Sequence, residues 1–231
     1  MSESLLLAVA QPPCLRYNVA ANVLTHAETV VAASARVVLF PELSLTGYEL
    51  DAEAITPDDP RLSPLVDACA ITGTVALVGA PIRGEHIATL AVDGTGVSVA
   101  YRKLYLDVTE ARRFSPGERP GVIEVDGWRL GLGICKDTGI AQHAADTAAL
   151  GIDAYLAGTL MHAPEKEIQD QRGRRTAAEH RIWVAFASFA EPTGGGFASP
   201  AGCSGIWAPG GELVAQAGPD TGDLARATLA R

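Results

Sequence analysis

Short apolar runs alternate with helix-spaced runs along the whole chain, and this alternation restricts the possible folds more than any other feature. Residues 5–10 are apolar and stop at Gln11-Pro12-Pro13. Residues 19–35 then carry Val19, Val23, Ala27, Val30 and Val31 at helical spacing, and residues 36–40 form a second apolar run halted by Pro41. Two strands joined by a helix-sized crossover predict a parallel βαβ unit. The pattern continues with a helix over 61–73 that turns Leu62, Leu65, Val66 and Cys69 inward, and a strand over 74–81. Hairpins are predicted for 86–93 with 97–103 around Gly94-Thr95-Gly96, and for 121–125 with 128–135 around Asp126-Gly127. A helix over 137–150, a strand over 154–157, a charged helix over 164–181 and a strand over 182–189 follow. Residues 191–204 read as a Gly/Pro-rich loop, 205–209 with 212–217 as a hairpin around Gly210-Gly211, and 225–229 as a last strand. Some ten strands are too many for one small sheet. They suit two sheets packed face to face with helices outside, in one α/β domain covering residues 1–231.

Composition narrows the partners. A net charge of −9, with no basic stripe, excludes a surface built for nucleic acid or anionic membrane. The one basic cluster, Arg172, Arg174 and Arg175, lies among Glu165, Glu167, Asp170 and Glu179 and reads as a solvated helix face. The four cysteines are scattered without CxxC or Cys/His ligand spacing, so neither a disulfide framework nor a zinc site is expected. The first residues show no basic start or cleavable apolar segment, and no run of 18 apolar residues suggests a membrane span. A reduced cytoplasmic protein is therefore expected.

The chemistry collects where apolar runs end. The run 128–134 stops at Cys135, followed by Lys136-Asp137. A strand that delivers a thiol to its carboxyl end is a good mounting for a nucleophile, and the following turn leaves the Lys136 backbone N–H to face developing negative charge. A small cysteine capping a core strand reads the same way in isolation. Glu42 follows the run ended by Pro41, at the strand end where open α/β sheets place ligands, and Lys103 closes the run 97–103. Acyl transfer needs such a set: a nucleophile, a base that returns its proton, and a cation for the oxyanion.

Three separate blocks carry a family resemblance. Phe40-Pro41-Glu42-Leu43 with Thr46-Gly47-Tyr48, Tyr101-Arg102-Lys103-Leu104 continuing to Glu110, Phe114 and Gly117, and Gly133-Ile134-Cys135-Lys136-Asp137 resemble the glutamate, lysine and cysteine blocks of the carbon–nitrogen hydrolases, the nitrilase superfamily, in the same order. Arg175-Thr-Ala-Ala-Glu179 and the loop before Ser204-Gly-Ile are similar to that family's closing helix and final hairpin. The resemblance implies a four-layer α-β-β-α sandwich and hydrolysis of a non-peptide C–N bond in a small amide through a cysteine thioester, with no metal or organic cofactor. It implies Cys135 as nucleophile, Glu42 as base, Lys103 at the oxyanion and Glu110 as a second glutamate supporting Lys103. Tyr48, Phe114, Lys136, Met161 and His162 are the expected substrate neighbours.

The chain departs from the pattern after the cysteine. Lys136 takes the place of an aromatic residue, and Thr138-Gly139-Ile140-Ala141-Gln142-His143 stands where relatives carry an Arg-Phe-Pro-Glu-like run. In carboxylate-selecting relatives an arginine of that run can grip the substrate's acid group; its absence disfavours an omega-amidase type of substrate, unless Lys136 or His143 replaces it. Chain length favours an amidase-like member over a true nitrilase, and a homodimer is the expectation carried from relatives. Three other readings stand beside an amidase: an N-carbamoyl amidohydrolase, an idle scaffold that binds a small molecule, and a redox-sensing thiol at Cys135.

Overall fold

In the computed structural model, which describes residues 3–231, twelve strands form two six-stranded sheets. The first sheet has the order β12-β1-β2-β3-β4-β5, from β1 (Ser4–Ala10), β2 (Val37–Leu39), β3 (Val75–Ile82), β4 (His86–Asp93), β5 (Gly96–Arg102) and β12 (Leu224–Ala230). The second has the order β11-β10-β9-β8-β7-β6, from β6 (Gly121–Val125), β7 (Trp128–Ile134), β8 (Ala154–Thr159), β9 (Trp183–Ser188), β10 (Gly205–Trp207) and β11 (Leu213–Gln216). Both sheets share one pairing pattern. Three parallel strands, β1-β2-β3 or β7-β8-β9, take one antiparallel strand on one side and two on the other.

Strand alternation sets the layers. In β1, Leu5, Leu7 and Val9 face the second sheet, while Ala8 and Ala10 face the helices α1 (Val19–Ala33) and α2 (Ser63–Thr72). The inner cluster joins them to Val37, Leu39, Leu77, Trp128, Leu130, Leu132 and Leu156 of both sheets. On the outer side of the second sheet, Tyr155, Ala157, Val184, Phe186 and Trp207 pack with Ala177 of α4 (Lys166–His180), and α3 (Ala141–Ala148) lies beside them. The result is helix, sheet, sheet, helix. Each large aliphatic side chain buried between the sheets contributes roughly 1.5–3 kcal/mol.

Sequence periodicity located the elements but not every face. Asn18 caps α1 by accepting from the Ala21 N–H, and Val19, Val23 and Val30 are buried as expected. Val31, predicted inward, is 53% exposed; the buried face carries Asn22 and His26 instead. Both polar residues are used. The Asn22 amide donates to the Leu15 and Leu45 carbonyls and its oxygen accepts from the Leu15 N–H, while His26 stacks on Phe40 at 4.2 Å. α3 starts at Ala141 rather than 137, because a single 3-10 turn over Cys135–Gly139 intervenes. α4 is highly polar and packs through small residues: a Cβ at Gly173 would come within 2.7 Å of the Trp207 indole. No helix among the described residues is long and apolar enough to cross a membrane.

Candidate active site

Glu42, Lys103 and Cys135 arrive from β2, β5 and β7. The backbone after β2 passes against β3 of its own sheet and β8 of the other. A Cβ at Gly79 of β3 would meet the Leu43 nitrogen at 2.2 Å, and one at Gly158 of β8 would meet the Phe40 carbonyl at 2.7 Å. Two glycines therefore clamp the segment that carries Glu42. Leu43 and Cys135 both hold left-handed backbone, at φ 52° and 40°. Such angles are costly for residues with a Cβ and collect at functional sites.

The turn at Cys135 is held from behind by Asp137. Its carboxylate accepts from the Ile134 N–H at 2.9 Å, the Tyr105 N–H at 2.9 Å and the Tyr101 hydroxyl at 2.8 Å. Since Tyr101 spends its proton on Asp137, the His143 Nε2–H donates to the Tyr101 oxygen at 2.8 Å, leaving Nδ1 to accept from the Tyr155 hydroxyl at 3.0 Å. Burial lowers the His143 pKa against the pull of Asp137, which agrees with this neutral form. His143 is thus committed to the support of the turn.

Glu42, Lys103 and Glu110 form one buried cluster. The Lys103 ammonium donates to Glu42 Oε1 at 2.6 Å and to Glu110 Oε1 at 2.7 Å, and all three side chains are 1% exposed. The Tyr48 hydroxyl donates to Glu110 Oε1 at 2.7 Å and the Asp107 N–H to Glu110 Oε2 at 2.7 Å. Glu42 Oε2 is buried without a hydrogen-bond partner among the described residues. Burial pushes the Glu42 carboxyl up to about 7; attraction to Lys103 works against this and repulsion by Glu110 adds to it. At Lys103 burial pulls the other way, but the negative charge of Glu42, Cys135 and Glu110 outweighs it and holds the ammonium protonated.

Cys135 keeps part of its surface open, and its thiol donates to the Leu160 carbonyl at 3.3 Å. Burial, then the charge of Glu42, pushes the thiol up to about 12 in spite of Lys103. It rests protonated, beside a carboxylate with a spare acceptor and an ammonium.

The remaining predicted neighbours surround this cluster in different ways. Tyr48 meets Phe197 edge-on at 5.3 Å, and His162 stacks on the same ring at 4.2 Å, so three aromatic side chains make one wall. Phe114 is buried in the inter-sheet core under the Arg113 guanidinium. The Lys136 ammonium donates to the Leu106 carbonyl at 2.7 Å, tying the cysteine turn to the loop that carries Glu110. Met161 is buried, with its sulfur 3.9 Å from Arg172 Nη1. Arg172 is the residue that sequence reasoning missed. Arg174 and Arg175 are exposed as a solvated face requires, but Arg172 is half-buried against Thr138 and Gly139. No group of three or more His, Cys, Asp or Glu side chains among the described residues could hold a metal ion.

Two stacked sheets with outer helices thus bring an acid, an amine and a thiol together at their strand ends, the mounting of an α/β enzyme. Residues 6–231 match the carbon–nitrogen hydrolase family model, and the chain belongs to that family. It is similar to a hydrolase encoded in the pqqF 5′ region of Pseudomonas protegens, 29% identical over 94% of this chain and 80% of that protein. It is also similar to the omega-amidase NIT2 of Bos taurus, 30% identical over 80% and 74%. In fold it resembles an amidase from Nesterenkonia sp. (TM-score 0.86, 24% identity, 100% and 92% covered) and Nit3 of Saccharomyces cerevisiae (TM-score 0.87, 20% identity, 100% and 91% covered).

Proposed function

We propose that the protein hydrolyses a small linear amide through a thioester on Cys135. The carrying observation is the free, buried Oε2 of Glu42 in a carboxylate that already holds Lys103 through its other oxygen. In this reading the Cys135 thiol gives its proton to Glu42 as sulfur bonds to the carbonyl carbon. The carbonyl electron pair moves to oxygen, where Lys103 and the Lys136 backbone N–H stabilise it; one such donor is worth about 3 kcal/mol of barrier. Collapse expels the amine, which takes the proton from Glu42. Glu42 then removes a proton from water as the hydroxyl attacks the thioester, the acid departs, and the proton returns to sulfur. Glu110 keeps Lys103 in place, and Tyr48 keeps Glu110 in place. A thiol held near 12 favours this base-assisted route over a redox sensor, which needs a ready thiolate.

Intact-mass spectrometry during turnover of an amide panel tests the reading, with Cys135→Ala as the control. An acyl adduct is expected on the native protein and not on the variant. Ammonia release that survives the substitution would remove the thioester.

A further inference from the structure

We propose that Arg172 is the anion-recognition residue of this site, selecting amides that carry a carboxylate remote from the scissile bond. This deepens the reading of Cys135 as nucleophile and rests on it.

The guanidinium touches the two segments that hold the nucleophile, the turn after Cys135 and the chain after β8. Its Nη1 lies 3.4 Å from Thr138 Oγ1, and that hydroxyl donates to the Cys135 carbonyl at 2.7 Å. The same nitrogen lies 3.9 Å from the sulfur of Met161, the residue after Leu160, whose carbonyl accepts the Cys135 thiol. Position 139 is kept open for it: a Cβ on Gly139 would stand 2.9 Å from the Arg172 Cζ and Nη2. A cation from α4 thus fills the space that any side chain at 139 would take.

Its charge is unanswered. A guanidinium has five N–H donors, and here its polar neighbours are a hydroxyl and a thioether, neither of them charged. The other cations around the cysteine are committed. Lys103 holds two carboxylates, Lys136 the Leu106 carbonyl, and Arg113 the Leu50 and Ala52 carbonyls. His143 lies between two tyrosine hydroxyls. A half-buried cation without a counter-charge has lost hydration that a bound carboxylate restores through paired N–H···O bonds. The run after Cys135 offers no arginine, and the structure supplies one from a different element, which reverses the expectation that acid-bearing amides are disfavoured.

The test compares succinamate with butyramide, a neutral amide of matched length. The native protein is expected to favour succinamate in kcat/KM, and Arg172→Met to lower the succinamate-to-butyramide ratio roughly 10- to 100-fold, the worth of one charge-assisted hydrogen bond. Arg172→Lys is expected to restore part of the ratio, with the change in KM rather than kcat. Calorimetric titration of succinamate into Cys135→Ala, with and without Arg172→Met, reads the same site without turnover. Arg172-dependent binding there upholds the anion site even if the thioester reading fails. A native preference for butyramide, an unchanged ratio in Arg172→Met, or equal succinamate binding with and without Arg172 overturns the proposal.

Discussion

At the scale of single residues, proton affinity decides how the site works. In the proposed mechanism Glu42 must be ionised to take the thiol proton, and its carboxyl is raised to about 7. kcat/KM for a neutral amide is therefore expected to fall on the acid side with a midpoint near pH 7, well above an ordinary carboxylate. The thiol, near 12, adds no rising limb of its own below pH 10. A pH–rate profile with an acid midpoint near 4.5 would contradict the assignment of Glu42 as base. Glu42, Lys103 and Cys135 stood out because each adjoins the end of an apolar run, whereas Glu110, in a polar stretch, was marked only by the neighbour order of its block. Arg172 was not legible: spacing tells which side a helical residue leaves from, but not how far a long side chain bends back. His143 was ambiguous for the opposite reason, since nothing local announces that two tyrosines, 42 and 12 residues away, close over its ring.

At the scale of elements, the site depends on turns more than on helices or strands. β7 was expected to end on Cys135 and a helix to begin at 137; instead the cysteine opens a tight turn and Asp137 reaches back to hold it. Propensity could not show this, because the strain at Cys135 is upheld by partners from β5 and the loop after it. The crossing of β2 past β8 is equally specific. Gly158→Ala puts a methyl group against the backbone of residues 40–42, and relief requires that segment to move. We expect a stability loss of roughly 1–3 kcal/mol, read as a lower Tm, with kcat reduced more than KM is raised. A variant with native Tm and kcat would show that the two sheets are not in contact there.

At the scale of the whole molecule, burial of polar groups makes stability depend on pH away from the Glu42–Lys103–Cys135 cluster. His26 is fully buried beneath Phe40 and burial lowers its pKa to about 4, from an ordinary value of 6.5. The unfolded chain then binds a proton that the folded one refuses. Its contribution is intact above pH 6.5 and is lost as pH falls toward 4, by up to about 3 kcal/mol. Chemical denaturation between pH 7 and 4 should show this slope, and His26→Phe should flatten it; an unchanged slope would assign the acid sensitivity to other groups. The layered fold was foreseeable from alternation along the chain, but the shared pairing pattern was not, since it lives in hydrogen bonds rather than in repeated residues.

That pattern is completed in an unusual order, because β12 supplies the antiparallel neighbour of β1 and pairs Leu224 with Ala10 at one end and Ala230 with Ser4 at the other. A growing polypeptide would expose the open margin of its earliest strand until almost all of it had been made. The first sheet cannot be completed until β12 arrives, so refolding is expected to be slow and cooperative, limited by a loop closure of more than 200 residues. A protein shortened before β12 would keep Glu42, Lys103, Glu110 and Cys135 and still present a raw sheet margin to its neighbours, with aggregation as the cost.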